Sequence, residues 1–267
     1  MARKNLPGLM QNSFTITPEQ VEAFWSDGFV PLHDILRPQE VERLRQRADD
    51  IADGVVAYPD RLIQLEPLAE DDITIPRHLR VRKIVSLTLH DPVFALLLRH
   101  PNVVKVATAM LGPDVKLLLD QMLCKPPHVG SAKPYHQDGP YWPIEPMDHC
   151  TLWIALDDST RDNGCMRFLP GTHTLGPLAH DATLGHHRMP QGWESLSERP
   201  DEVTIESRAG SGSAHHGLVL HETSDNRSPH RRRAMTMAFM KATARWTSDA
   251  PKPTFMPIAG RSFEGCI

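Results

Sequence analysis

Apolar positions divide the chain near residue 112 into a helical part and a part with short apolar segments. Before that point, four segments carry apolar residues three or four positions apart, between residues that begin and end helices. In TITPEQVEAFWSDGF, Thr17 is the predicted N-cap, Pro18 the first helical residue, Gln20 the partner in a capping box and Gly28 the stop. The other three predicted helices lie in RPQEVERLRQRADDIADG, in HDPVFALLLRHP with Asp91 as cap, and in NVVKVATAMLGP.

From about residue 115 the apolar segments are short and turn residues separate them. They are VKLLLDQMLCKPP, CTLWIALDD, CMRFLPGTH, VTIESRAGS, GLVLHETS and RAMTMAFMKA. This spacing is typical of an antiparallel sandwich or barrel. We therefore predict one mainly β domain over residues 1–267, with a helical N-terminal third at about 15–112 and a β core at about 115–245. In residues 58–80 and 173–200 the apolar positions follow neither the helical nor the strand period. We expect the second segment to form a lid over the binding site.

Composition narrows the class of protein. A chain of 267 residues can bury a sizeable core, and a net charge of −4 argues against a general nucleic-acid binder. The four cysteines are scattered, which fits a reducing cytosol better than a disulfide framework or a cysteine-rich zinc module. No apolar run has the length of a signal peptide core or a membrane span. We expect a cytoplasmic monomer or homodimer that acts on a small molecule.

A histidine and a carboxylate lie two residues apart in PYHQDGPYWP. In an extended segment His136 and Asp138 face one side and Gln137 faces the other. Such a pair supplies two of the three ligands in the non-haem Fe(II) sites that use two histidines and one carboxylate. By itself the pair is common, and a surface hydrogen bond explains it as well.

A second histidine follows in GLVLHETSDNRSPHRRRAM. His221 ends an apolar segment, Thr223 lies two residues later and Arg232 lies eleven residues later. His215 has the same parity as His221 in a regular strand and is the alternative third ligand. Each of these residues also has a purely structural explanation. His221 would then be a histidine at the end of a strand that donates a hydrogen bond to a carbonyl group. The three arginines would be a solvated strand edge that blocks aggregation.

Alternation in RRRAMTMAFM favours Arg232 as an anion-binding group over its neighbours Arg231 and Arg233. In a strand, the side chain of Arg232 would lie on the same face as small residues, and the opposite face of the strand would carry large residues. A small-residue face suits a barrel interior that holds a small molecule. The small residues are Ala234, Thr236 and Ala238, and the bulky ones are Met235, Met237 and Phe239.

The order of these motifs resembles that of the phytanoyl-CoA dioxygenase family of Fe(II)- and 2-oxoglutarate-dependent oxygenases. The resemblance covers nearly the whole chain and implies a double-stranded β-helix core of the jelly-roll or cupin type with flanking helices. It rests on AFWSDGFVPLHDIL, RKIVSLTLHDPVF, CKPPHVGSAKPYHQDGPYW, TLWIALDDSTRDNGCMRFLPGTH and HHGLVLHETSDNRSPHRRRA.

The resemblance implies roles for individual residues. His136, Asp138 and His221 correspond to the iron ligands, and Arg232 corresponds to the arginine that binds the distal carboxylate of 2-oxoglutarate. The other residues implied to contact this co-substrate are Thr223, Trp153, Gln121 and Lys83, for which Arg82 is an alternative. Independently of the resemblance, Tyr141, Trp142 and Ile144 follow the first two ligands and are expected to contact the substrate, although core packing explains them nearly as well.

The implied activity is oxidation of an unactivated C–H bond, by default hydroxylation, with O2 and with decarboxylation of 2-oxoglutarate to succinate and CO2. Asp138 argues against halogenation, because related halogenases have Ala or Gly at that position to admit chloride. Desaturation, epoxidation and ring closure use the same centre, and nothing in the sequence specifies an acyl-CoA. A non-catalytic jelly-roll binding protein would need the loss of a ligand, and a zinc hydrolase or cupin-like site would leave Arg232 and Thr223 unexplained.

Overall fold

The computed structural model describes residues 14–184, 187–190 and 199–267, with side chains described outside 180–198. Within these ranges every α-helix precedes residue 112. The helices are α1 (Pro18–Ser26), α2 (Pro38–Ala52), α3 (Leu87–His90), α4 (Pro92–Leu98) and α5 (Pro101–Leu111). Short 3-10 segments are Asp60–Leu62, Arg77–Leu79, Gly139–Tyr141, Arg161–Asn163 and Thr172–Leu175.

The four predicted helices are α1, α2, α4 and α5, and their predicted caps are confirmed. The Thr17 hydroxyl accepts from the Gln20 amide at 3.3 Å, and Gln20 Oε1 accepts from the Thr17 amide at 2.9 Å. Asp91 accepts from the amide of Val93 at 2.9 Å at the start of α4. Gly112 ends α5.

The strands form two principal antiparallel sheets. The large sheet has the order β1-β12-β7-β14-β4-β3-β2 with β16 also paired to β4, the small sheet has the order β11-β8-β13-β5, and β9–β10 and β6–β15 are separate pairs. The strands are β1 (Phe29–Leu32), β2 (Ile63–Leu65), β3 (Val81–Val85), β4 (Val115–Lys125), β5 (Lys133–His136), β6 (Ile144–Glu145), β7 (Cys150–Ala155), β8 (Met166–Phe168), β9 (His180–Leu184), β10 (His187–Pro190), β11 (Val203–Ile205), β12 (Gly212–His216), β13 (His221–Thr223), β14 (Arg232–Lys241), β15 (Arg245–Trp246) and β16 (Pro257–Ala259).

The two faces of the large sheet bury different partners. On β7, Leu152 and Ile154 belong to the core shared with the helices, whereas Trp153 and Ala155 pack with Met166 and other residues of the small sheet. Strand β14 alternates in the same way, as predicted. Its residues on the helix side are Met235, Met237 and Phe239, and those on the other side include Arg232, Ala234 and Thr236. Small residues on the inner face leave space between the sheets.

The N-terminal third is not helical throughout, because β1, β2 and β3 join the large sheet. β2 and two 3-10 segments occupy 58–80, which lacked a period in the sequence. A short apolar segment with no alternation cannot be assigned from its own pattern, because its sheet partners decide its conformation.

One strand prediction needs correction. GLVLHETS does not form a single strand, since residues 217–220 form a turn between β12 and β13, and His221 begins β13. β12, which carries His215, therefore lies in the large sheet, whereas His221 lies in the small sheet.

The predicted lid at 173–200 falls partly outside the described residues. Its described part contains the β9–β10 pair, and β10 lies beside β5. No described helix is both long enough and apolar enough to cross a lipid bilayer.

Replacing Asp91 should destabilise the protein, because its buried carboxylate caps α4 and binds Arg47 of α2, with Nε at 2.7 Å from Oδ2. We expect Asp91→Ala to lower the free energy of unfolding by about 2 kcal/mol in urea denaturation. Asp91→Asn is the matched control, since it keeps the capping oxygen and loses the charge, and it should lose less. Equal losses in the two variants would show that the cap contributes nothing.

Candidate active site

Strands β5 and β13 place two histidines opposite each other. His136 pairs with His221 across the antiparallel ladder, and their ring centroids lie 4.1 Å apart. Asp138 follows β5 with a helical backbone (φ −77°, ψ −33°), where the 3-10 turn Gly139–Tyr141 begins. One nitrogen of each histidine and one carboxylate oxygen lie within 4.8 Å of one another. The three predicted ligands therefore meet, but a turn, and not strand alternation, brings in Asp138.

Backbone carbonyl groups orient both imidazoles. Nδ1 of His136 donates to the carbonyl of Pro134 at 2.9 Å, and Nδ1 of His221 donates to that of Val219 at 3.0 Å. Because a carbonyl only accepts, Nδ1 carries the proton and Nε2 keeps its lone pair. The two Nε2 atoms lie 3.5 Å and 3.8 Å from Asp138 Oδ1. Metal-binding histidines are oriented in this way.

The protonation states also suit a metal. Burial lowers the pKa of His136 to about 4, with a further contribution from Lys133, and burial together with His136 lowers the pKa of His221 well below its usual value. Both imidazoles are therefore neutral at pH 7. Burial would raise the pKa of Asp138, but in acid the protonated imidazoles of His221 and His136, together with His215, outweigh burial and hold this pKa well below its usual range. The site offers two neutral nitrogens and one carboxylate anion.

The two oxygens of Asp138 have different neighbours. Oδ1 faces the two histidines, whereas Oδ2 accepts from the Thr151 hydroxyl at 3.1 Å and lies 3.5 Å from His215 Nε2. His215 thus contacts the carboxylate from the side away from His136. Thr151 was not predicted, and His215, the alternative third ligand, does not belong to the group formed by His136, Asp138 and His221. Both lie in the large sheet, on β7 and β12, and no motif links them to the small sheet.

Arg232 lies in the space between the sheets with its guanidinium 1 % exposed. Its Nη2 donates to the carbonyl of Gly164 at 2.7 Å, its Cζ lies 5.5 Å from the ring centre of Trp153, and its Nε has no hydrogen-bond partner among the described residues. Burial lowers the pKa of Arg232 to about 10, so it remains charged at pH 7. It has no ion pair with a described Asp or Glu, and a buried cation of this kind suits an anionic ligand.

The neighbouring arginines have structural partners. Arg231 binds Asp49 of α2 through two hydrogen bonds of 2.9 Å and 2.6 Å. Arg233 binds Asp157 through two bonds of 2.8 Å and also reaches Asp49 at 3.1 Å. The structure thus separates Arg232 from the two alternatives by what each guanidinium contacts.

Gly164 and Asn226, which lie in the predicted motifs, help to hold Arg232 and the loops around it in place. Gly164 adopts φ +82°, and a Cβ there would lie 2.3 Å from the carbonyl oxygen of Ser224, so only glycine can present its carbonyl to Arg232. Asn226 is buried and donates to the carbonyls of Lys125 at 3.0 Å and His230 at 2.8 Å. It thereby ties the loop before β5 to the segment before β14.

His136, Asp138, His221 and Arg232 line one cavity of about 530 Å³. The predicted residues that also line it are Arg82, Lys83, Gln121, Tyr141, Trp142, Trp153 and Thr223. The prediction for Ile144 needs correction, since it is fully buried against Leu118 and Met240 and is not among the described lining residues. Lys125 and Lys133 line the cavity and were not predicted; their positions in CKPPHVGSAKPYH, just before His136, were the available signal.

Comparison with known proteins agrees with this geometry. The family model for phytanoyl-CoA dioxygenase (PhyH) matches residues 24–234, which include His136, Asp138, His221 and Arg232. The chain therefore belongs to the phytanoyl-CoA dioxygenase (PhyH) family. Among curated relatives of this PhyH-family protein, the peroxisomal phytanoyl-CoA dioxygenase of Mus musculus is 28% identical over 84% of this chain and 68% of its own length.

Solved structures of other enzymes share the jelly-roll-like fold. EctD from S. alaskensis with bound Fe matches with TM-score 0.73 and 23% identity over 91% of this chain and 83% of that chain. EctD with 2-oxoglutarate and 5-hydroxyectoine matches with TM-score 0.72 and 24% identity over 96% and 88%. The carbocyclase SnoK from nogalamycin biosynthesis matches with TM-score 0.70 and 20% identity over 91% and 96%.

Family membership defines the class of enzyme. PhyH-family enzymes are Fe(II)- and 2-oxoglutarate-dependent dioxygenases, and this protein is an enzyme of that class with Fe(II), 2-oxoglutarate and O2 as its cofactors and co-substrates. Its own residues fit these groups. Two neutral imidazoles and a carboxylate are suitable iron ligands, and a buried guanidinium with an unpartnered Nε suits a dicarboxylate.

Acid should destabilise the metal-free protein through its buried histidines. The pKa of His136 is lower in the folded protein than in the unfolded chain, so the unfolded chain takes up the proton first and stability falls between about pH 6.5 and about pH 4. From pH 7 to pH 5 we expect His136 alone to account for about 2 kcal/mol. In urea denaturation, the free energy of unfolding should change less between pH 7 and pH 5 in His136→Asn than in the exposed control His230→Asn. Equal pH effects in both variants would contradict this.

Proposed function

We propose that the protein oxidises an unactivated C–H bond of a small organic molecule, by default through hydroxylation, with decarboxylation of 2-oxoglutarate to succinate and CO2. One observation carries the proposal. His136, Asp138 and His221 lie in the same cavity as the buried Arg232, which pairs with no described carboxylate.

His136, Asp138 and His221 would hold Fe(II), and three protein ligands leave positions open for the other reactants. When bound, the iron with 2-oxoglutarate and O2 supplies the oxidising power for C–H cleavage. The chain itself fixes the donors. Carbonyl groups orient the imidazoles, and Thr151 and His215 hold the second oxygen of Asp138, so that little rearrangement is needed when a metal binds.

Arg232 and Thr223 would bind the distal carboxylate of 2-oxoglutarate. The planar guanidinium allows a bidentate contact, and its burial strengthens the attraction because water does not screen it. Trp153, whose ring lies 5.5 Å from Arg232 Cζ, would form one wall of this pocket. Gln121 and Lys83, which also line the cavity, are further contacts to the co-substrate that we propose.

Substrate would enter beside Tyr141 and its neighbour Trp142, which both line the cavity, because Tyr141 is 47 % exposed. The predicted lid stays a proposal. Its described strand β10 lies beside β5, which ends at His136. We also propose one domain over residues 1–267. Its four cysteines are free, which supports a cytoplasmic location.

Other oxidative outcomes are a second candidate, favoured by the shared fold with the carbocyclase SnoK. Desaturation, epoxidation and ring closure need the same iron and co-substrate residues, and the substrate position selects among them. A non-catalytic binding protein would not need the paired neutral imidazoles beside a carboxylate. A zinc hydrolase would leave Arg232 without a role.

Anaerobic addition of Fe(II) and 2-oxoglutarate should give the visible charge-transfer absorption band of this chelate. We expect His221→Ala to abolish the band, because one of three protein donors is lost. His215→Ala is the matched control from the large sheet. It should keep the band with at most about a tenfold loss of metal affinity, since His215 lies beside Oδ2 of Asp138 and the ring of His221 and is not one of the three proposed ligands. A band that survives His221→Ala and disappears in His215→Ala would reverse the ligand assignment.

Arg232→Met should weaken 2-oxoglutarate binding by about a hundredfold, because it removes the buried cation opposite the distal carboxylate. Titration of the charge-transfer band with 2-oxoglutarate measures this affinity. Arg231→Met is the control, since it removes an equal charge that binds Asp49, and it should leave the affinity unchanged. An unchanged affinity in Arg232→Met would refute the anchor role.

A further inference from the structure

The cavity contains more positive charge than iron and 2-oxoglutarate account for. Of its described lining residues, five are cations and one, Asp138, is a carboxylate. The charges of a divalent iron and a dianionic co-substrate cancel, so the excess persists after both bind. Several like charges around one partly enclosed cavity are costly unless an anion binds among them. The cations are Arg82, Lys83, Lys125, Lys133 and Arg232.

Two of these cations lie at the co-substrate end. Arg232 pairs with Lys125 across the β14–β4 ladder, and Lys125 Nζ donates to the carbonyl of Ser131. Burial and the charge of Arg232 lower the pKa of Lys125 well below its usual value. Lys125 therefore belongs with the proposed carboxylate site of 2-oxoglutarate. Lys83 is already proposed as a further contact to this co-substrate, so Lys133 is the lysine of the cavity that has no assigned ligand.

Lys133 lines the cavity near Tyr141, whose side chain is exposed. It lines the cavity three residues before His136, a spacing that would place the two on opposite faces of a regular strand. A bulge in the β5–β13 pairing pairs Thr223 with Lys133 and His221 with His136, which explains how both reach the cavity. Lys133 Nζ lies 5.7 Å from the ring centre of Tyr141.

The charges around Lys133 repel one another. Burial lowers the pKa of Lys133, Asp138 opposes this shift, and Lys83 and Arg82 add to it. Asp138 is the carboxylate proposed for the metal and is not available as a counter-ion. In the part of the chain that the structure describes, neither Lys83 nor Lys133 forms an ion pair with an Asp or Glu.

We infer that the primary substrate carries an anionic group, a carboxylate or a phosphate, and that Lys133 binds this group near the cavity opening. Lys83 and Arg82 on β3 of the large sheet add to the positive potential from the other sheet. The anion would relieve the repulsion among the cations and place the rest of the substrate toward the metal. This inference rests on the proposed function, since an oxygenase needs a second small molecule in this cavity.

The test uses the full-length protein loaded with Mn(II) and saturating 2-oxoglutarate, so that Arg232 is already occupied. Calorimetric titration compares butanoate, hexanoate and octanoate with their neutral amides, and includes monohexyl phosphate. We expect one or more anions to bind at least about tenfold more tightly than the matched neutral compound. A carboxylate or a phosphate preference identifies which anion the site takes.

Lys133→Gln should remove the preference for anions and leave the affinity for 2-oxoglutarate unchanged. Lys252→Gln is the control, since it removes the same charge from an exposed position and should behave as wild type. The inference is overturned if no anion is preferred in the wild type, if Lys133→Gln keeps the preference, or if it weakens 2-oxoglutarate binding equally. Failure of the proposed function is distinct, because the wild type would then give no charge-transfer band.

Discussion

The antiparallel pairing of β5 with β13 is the interaction on which the rest of the site depends. It sets His136 directly opposite His221, and the turn after β5 adds Asp138. Neither strand is long, so neighbouring contacts must fix their register. Buried Gln137 donates to the carbonyls of Gly176 and Leu218 at 2.9 Å and 2.8 Å, and Asn226 links the flanking loops. These amide bonds hold the segments on both sides of the histidine pair, which makes the metal-binding geometry a property of the fold.

The sizes of side chains on the two faces of the large sheet explain why a cavity exists. Strand β14 presents Met235 and Met237 to the helices and Ala234 and Thr236 to the small sheet. Large residues fill one interface to native density, whereas small residues leave a space in the other. The same strand also distributes charge. Arg231 and Arg233 bind carboxylates of the helical layer and its adjoining loop, and Arg232 between them points its charge into the space. Three consecutive arginines thus place two charges in ion pairs and one charge in the cavity.

The site is electrostatically costly to the protein alone. Burial keeps the imidazoles neutral, although the negative charge of Asp138 favours their protonated form. Burial also removes much of the hydration of Arg232, Lys125 and Lys133, and few anionic groups lie near them to compensate. Such groups lower the stability of the ligand-free fold, and ligands of opposite charge recover what they cost. A pocket arranged in this way selects its ligands by charge as well as by shape, because a neutral molecule would leave the cations uncompensated.

The sequence by itself determined the helices with strong caps and the strand-rich second part, and it singled out His136, Asp138, His221 and Arg232, which the fold brings to one cavity. Capping chemistry, alternation and motif order are properties of short stretches of chain, so they can be recognised without the fold. Only the tertiary structure decided three things. Strands β1–β3 and β12 depend on sheet partners that are distant in sequence. The turn at residues 217–220 separates His215 from His221 into different sheets, so parity could not choose between them. A bulge turns Lys133 into the cavity, and Ile144 packs into the core instead, because pairing register, which no local pattern encodes, sets where each side chain points.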